Sequence, residues 1–71
     1  MNLQKNIWEG WTVQNFIDVL EPSFKMIMNH NSWKEPFTNA DDLKKWCMEN
    51  QPYYKKSIPE VFNYFKKLAK L

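Results

Sequence analysis

The sequence contains no arginine and only one cysteine, one histidine and one glycine. Cys47 has no second cysteine with which to form an intramolecular disulfide, and Cys47 and His30 together supply too few ligands for a structural zinc site. Gly10 alone leaves no glycine-rich loop of the kind that cradles a phosphate. We therefore expect no disulfide, no metal and no cofactor.

Long apolar segments are also missing, since no run of consecutive apolar residues exceeds three. That is far short of the roughly 20 residues that a membrane helix needs, and it is shorter than the apolar core of a signal peptide. A lone thiol in a short chain fits a reducing compartment better than secretion. These absences predict a cytoplasmic protein that makes no use of a membrane.

Residue types that perform catalysis occur, but their positions do not favour it. Cys47 lies on the apolar stripe of a predicted helix, where an unreactive buried thiol is usual, and His30 is expected at a helix end. Asp41 and Asp42 fall at a predicted helix start, and adjacent helical residues point about 100° apart, so they converge poorly on one site. The sequence predicts that the protein is not an enzyme.

Apolar and aromatic residues are plentiful, at 44% and 17% of the 71 residues. That bulk argues against disorder, because buried rings remove a large area from water. With no candidate boundary or linker, residues 1–71 are predicted to form one domain. Its predicted fold is all-α: a small bundle of three helices, or four, with an irregular N-terminal arm over residues 1–11.

The first helix is predicted over residues 12–29, with Thr12 as its N-cap. Pro22 should either kink this helix or divide it into two, because an interior proline removes a hydrogen bond and clashes with the preceding turn. Retained helical phase on both sides favours a kink. The apolar stripe consists of Val13, Phe16, Ile17, Leu20, Phe24, Ile27 and Met28.

Two further helices are predicted over residues 39–50 and 57–70. Thr38 or Asn39 can cap the first of them. The second begins with Ser57-Ile58-Pro59-Glu60, a sequence that matches a capping box in which the Ser57 and Glu60 side chains each bond to the other residue's backbone.

Several aromatic residues lie outside the helical stripes, and they either close the core or form an interface. Tryptophan and tyrosine supply much of the binding energy at protein interfaces. We therefore predict a small non-enzymatic interaction module that binds another protein, or a second copy of itself, as an accessory or regulatory protein of a mobile element would. The predicted partner-binding residues are Trp8, Trp33, Tyr53 and Tyr54.

The alternative is a nucleic-acid-binding protein, because residues 36–71 hold seven lysines against four acidic residues. Lysines contact phosphates, and nearby tyrosines can stack on bases. The lack of arginine removes the commonest specific contact to guanine, which weakens this alternative. Its predicted contact residues are Lys55, Lys56, Lys66, Lys67 and Lys70.

Overall fold

A β-hairpin followed by three α-helices makes up the part of the chain that the structure, a computed structural model, describes: residues 2–30 and 37–71, with His30 described by its backbone alone. The elements are β1 (Asn6–Trp8), β2 (Trp11–Thr12), α1 (Val13–His30), α2 (Ala40–Asn50) and α3 (Pro59–Ala69). The prediction of a mostly helical chain is confirmed. The all-α assignment is wrong over the N-terminal arm, which contains a two-stranded antiparallel sheet.

The hairpin turns at Glu9 and Gly10, which both have positive φ angles, 41° and 86°. Two central residues with positive φ are the mark of a type I′ turn, whose twist matches that of the flanking strands. Trp8 pairs with Trp11, and a register shift in β1 indicates a bulge. The apolar spacing of the arm fits neither the helical nor the strand period, and for that reason it predicts an irregular segment.

The start of α1 is tied to the hairpin. Thr12 caps the helix as predicted: its hydroxyl accepts from the Asn15 backbone N–H at 3.3 Å, and the Asn15 side chain accepts from the Thr12 N–H at 2.9 Å. The first two backbone N–H groups of α1 donate to the carbonyl oxygens of Lys5, at 3.1 Å, and Leu3, at 2.9 Å. The chain before the helix thus satisfies donors that a helix end leaves unpaired.

Helix α1 continues through Pro22 without interruption, so the alternative of two helices, and with it a four-helix bundle, is wrong. The residues on either side explain this continuity. Ile17, Leu20 and Phe24 are each at most 3% exposed and pack into one core, whereas Pro22 is exposed. Burying these side chains is worth about 1.5–3 kcal/mol each, which outweighs the roughly 3 kcal/mol that an interior proline costs.

The remaining helix ends differ from one another. Asn39 caps α2 by accepting from the Asp42 backbone N–H at 3.0 Å. The capping box predicted for α3 is wrong: α3 begins at Pro59, and its N-cap residue, Ile58, makes no side-chain hydrogen bond. Glu60 instead pairs with Lys5 at 2.8 Å, so its carboxylate joins the N-terminal segment to α3.

The core lies where the three helices meet. Phe24 of α1 is central, with its ring centroid 4.9 Å from that of Phe65 and 6.1 Å from that of Phe37. A hydrogen bond of 2.7 Å from the Tyr64 hydroxyl to Glu21 joins α3 to α1, and it raises the pKa of Tyr64. Within the described residues, no helix is both long enough and apolar enough to cross a membrane.

Candidate functional site

Three aromatic side chains gather where the hairpin meets the connection between α2 and α3. Tyr53 stacks on Trp8 with ring centroids 5.7 Å apart and an interplanar angle of 19°. Its ring also meets that of Trp11 edge to face at 5.7 Å. Trp11 in turn packs against the buried Phe16 at 5.2 Å, which anchors the group to the core. We call Trp8, Trp11 and Tyr53 the aromatic surface.

Tyr53 is the most exposed member of this surface, with 72% of its area accessible, and its backbone is strained. Its φ angle is 63°, a left-handed value that is unusual for a bulky residue. It is also the central residue of a three-residue turn, because the Tyr54 backbone N–H donates to the Pro52 carbonyl at 2.6 Å. A γ-turn whose central φ is positive is the rare and strained form.

The buried Gln51 side chain restrains this turn from the interior of the protein. The side chain is 1% exposed, and its Nε2 atom donates to the carbonyl oxygens of Tyr54 and Lys56, each at 2.9 Å. The residue also ends α2, because its backbone N–H donates to the Cys47 carbonyl while Pro52 holds it in an extended conformation. Its Oε1 atom is buried and has no partner among the described residues. One amide therefore clamps the backbone on the C-terminal side of Tyr53.

Lys55 adds a second restraint on the same connection. Its ammonium group donates to the Glu49 carbonyl at 3.2 Å and to the Gln51 carbonyl, both at the C-terminal end of α2. A cation is favoured there because the last carbonyl groups of a helix carry partial negative charge. The charge of Lys55 is thus directed at the protein's own backbone.

An open depression of about 410 Å³ adjoins the aromatic surface at Trp11. Glu9 and Asp18 supply the charge on its wall, and its other lining residues are Gly10, Asn15 and Val19. Asp18 accepts a hydrogen bond from the Gln14 side chain at 2.6 Å, which fixes its orientation. Glu9 makes no hydrogen bond or ion pair with any residue that the structure describes. The depression therefore combines two carboxylates with the indole of Trp11.

The four predicted partner-binding residues do not all lie together. Trp8 and Tyr53 stack on each other, whereas Tyr54 is half-buried and turns toward Phe16, with ring centroids 6.4 Å apart. Trp33 falls outside the described residues. Whether any of the four contacts a partner stays a prediction.

Sequence reasoning did not assign Trp11 and Gln51 to the site. The signal for Trp11 was the Glu9-Gly10 pair between two apolar residues, which is the spacing of a two-residue hairpin. The signal for Gln51 was weaker. A polar residue directly before Pro52 predicts an extended backbone, but nothing in the sequence places its side chain in the interior.

The five lysines of the nucleic-acid alternative are distributed over two places. Lys56 precedes α3, whereas Lys67 and Lys70 are exposed at the other end of this helix. The 11 residues of α3 span about 16 Å. Lys55 is bonded to α2, and the Lys66 ammonium lies 5.7 Å from the centre of the Phe62 ring. Lys56 is therefore separated from Lys67 and Lys70 by about the length of α3.

The other candidate groups are the Cys47 thiol, as a nucleophile, and side chains that could bind a metal ion. Cys47 is 2% exposed, and burial raises the pKa of its thiol to about 11, so it is protonated at neutral pH. A nucleophilic cysteine needs the opposite environment. Among residues 2–29 and 37–71, no three cysteine, aspartate or glutamate side chains group to hold a metal ion.

No protein-family model, curated protein or solved structure matches this chain.

Proposed function

We propose that this protein is a non-enzymatic binding module that docks another protein on the aromatic surface. The observation that supports this most is Tyr53, a large ring that is 72% exposed and stands on a strained backbone against Trp8. Left-handed backbone costs a non-glycine residue about 1–2 kcal/mol. A ring left mostly in water cannot offset that cost by its own burial.

The restraints around Tyr53 also support binding. Its turn is held by the Gln51 amide from one side and by stacking on Trp8 from the other. A ring that is already ordered loses little conformational freedom when a partner covers it, and this preorganisation strengthens binding. Aromatic anchors of this kind are enriched among the residues that dominate interface energies.

The proposal is tested by photocrosslinking in lysate of the source organism. p-Benzoylphenylalanine at position 53 keeps an aromatic ring on the surface, and the same group at Met26, which is 60% exposed on α1, is the matched control. Lysate is treated with nuclease so that a partner bridged by nucleic acid is lost. A protein crosslinked from position 53 and not from position 26 is then identified and purified.

The purified partner is titrated with three variants. Tyr53→Gly removes the ring and relieves the strained backbone, so the fold should keep its stability to within about 1 kcal/mol while binding weakens about 30-fold. Trp8→Ala should weaken binding to a similar extent, and Met26→Ala should not. Unchanged affinity in Tyr53→Gly and Trp8→Ala would refute the proposal. Crosslinks abolished by nuclease would favour the lysine alternative, and crosslinks between two copies would indicate self-association.

A further inference from the structure

The depression beside Trp11 combines two features that recognise one kind of side chain. An indole attracts a cation near its ring, and carboxylates bind a guanidinium group through paired, charge-assisted hydrogen bonds. Trp11, Glu9 and Asp18 line the same depression of about 410 Å³, a volume within the range of ligand pockets. Acidic groups alone would not define a ligand, but the Trp11 side chain among the lining residues favours a planar cation.

Nearby cations do not neutralise this depression. The Lys5 ammonium pairs with Glu60 at 2.8 Å, and the Lys55 ammonium is bonded to backbone carbonyl groups of α2. No lysine of the part of the chain that the structure describes lines the depression. The charge at this end of the aromatic surface is therefore negative, although the whole chain carries a formal charge of +2.

We infer that the depression binds an arginine side chain of the partner protein, beside the apolar contact made by Tyr53 and Trp8. This inference rests on the proposed function and names the chemistry of the partner. Arginine is favoured over lysine because its planar group can stack on Trp11 while its fork of N–H groups reaches two carboxylates. These 71 residues contain no arginine, so a second copy of them cannot supply that side chain.

The test is a titration followed by nuclear magnetic resonance with three small probes: N-acetyl-arginine N-methylamide, its citrulline analogue and its lysine analogue. Citrulline keeps the shape of arginine and lacks its charge. The arginine probe should shift the Trp11 indole N–H and the Gly10 amide saturably at about 10 mM, a concentration that saturates a millimolar site. The Trp46 indole, which packs between Phe24 and Phe65, is the internal reference.

Two double variants carry the same change in charge. Glu9→Gln with Asp18→Asn should lower the affinity for arginine about tenfold, to that of citrulline, because both carboxylates are neutralised. Asp41→Asn with Glu49→Gln neutralises two exposed carboxylates on α2 and should leave the affinity unchanged. Added salt should weaken binding of the arginine probe and not of the citrulline probe.

Four results would overturn the inference: no Trp11 shift at about 10 mM, equal affinity for arginine and citrulline, equal affinity for arginine and lysine, or equal losses in the two double variants. These failures would leave the proposed function standing if Tyr53→Gly still weakens partner binding. If Tyr53→Gly has no effect on the partner, the proposed function fails whatever the probes show.

Discussion

Replacing Gln51 by leucine should remove the hydrogen bonds that restrain the turn at Tyr53, while the leucine side chain fills a similar volume. The change removes the two hydrogen bonds of 2.9 Å from Nε2 to the Tyr54 and Lys56 carbonyls. It also removes the buried Oε1 atom, which has no partner among the described residues. The first effect destabilises the fold, and the second offsets part of that loss.

The net effect follows from these two terms. Each of the two carbonyl groups left partly buried without a donor costs about 1–3 kcal/mol, and removing the one orphaned oxygen returns about as much as one such group costs. We expect Gln51→Leu to lower the free energy of unfolding by about 2 kcal/mol, from a total of about 4–10 kcal/mol for a chain of this length. The melting temperature should fall by about 8–16 °C.

Gln51→Glu gives a pH-dependent version of the same experiment. An ionised carboxylate at this buried position would face two carbonyl oxygens, so its pKa in the folded state would rise above the unfolded value of about 4.3. A raised carboxyl pKa means that the folded state binds more protons, and stability then falls as the pH rises. Gln51→Glu should therefore be much less stable than the wild type at pH 7, and the difference should narrow toward pH 4.

Thermal and urea denaturation followed by circular dichroism measure these changes. Near-ultraviolet dichroism also reports the Trp8–Tyr53 stacking, which should weaken in Gln51→Leu below the melting transition. Gln4→Leu, at an exposed position in the N-terminal turn, is the matched control and should change stability by less than about 0.5 kcal/mol. Equal melting temperatures for Gln51→Leu and Gln4→Leu would refute the assignment of Gln51 as the support of the turn.

Three further predictions concern the hairpin and the core. Lys5→Met should cost about 0.5–1 kcal/mol at pH 7 in urea denaturation. Its hydrogen bond lowers the pKa of Glu60, so this loss should fade as the pH falls through the folded pKa of that carboxyl. Cys47 should react with Ellman's reagent only when the folded protein opens, so the reaction rate should rise with urea concentration. A reaction rate independent of urea would contradict the burial of this thiol. Gly10→Ala should lower stability by about 1–2 kcal/mol in thermal denaturation. No atom of the described residues would crowd the added Cβ, so the loss comes from the backbone, whose φ of 86° is unfavourable for alanine.

Much of the helical architecture could be predicted from the sequence, because an apolar stripe with one phase is a strong local signal. The Thr12 cap and the stripe of α1 were both present in the chain, and the structure has α1 beginning at Val13. Pro22 was ambiguous because its local cost favours two helices, whereas the retained apolar phase favours one. Only the tertiary contacts of Leu20 and Phe24 decide between them.

The α3 capping box and the hairpin show where local signals were misleading or weak. Ser57 and Glu60 have the spacing of a capping box, yet Glu60 pairs with Lys5, which is 55 residues away in the chain. No local pattern reveals such a partner. The hairpin signal was incomplete because glutamate is not among the residues that favour positive φ, and Glu9 adopts φ of 41° all the same.

Three non-glycine residues have positive φ, among those that the structure describes, and they differ in what explains them. Lys70 ends α3 in the left-handed conformation that many helices use. Glu9 occupies the first position of a hairpin turn that requires positive φ. Tyr53 has no such local reason, because glycine or asparagine would make its turn with less strain. Its ring remains mostly in water, and that exposure on a strained turn is the reason for proposing that a partner covers it.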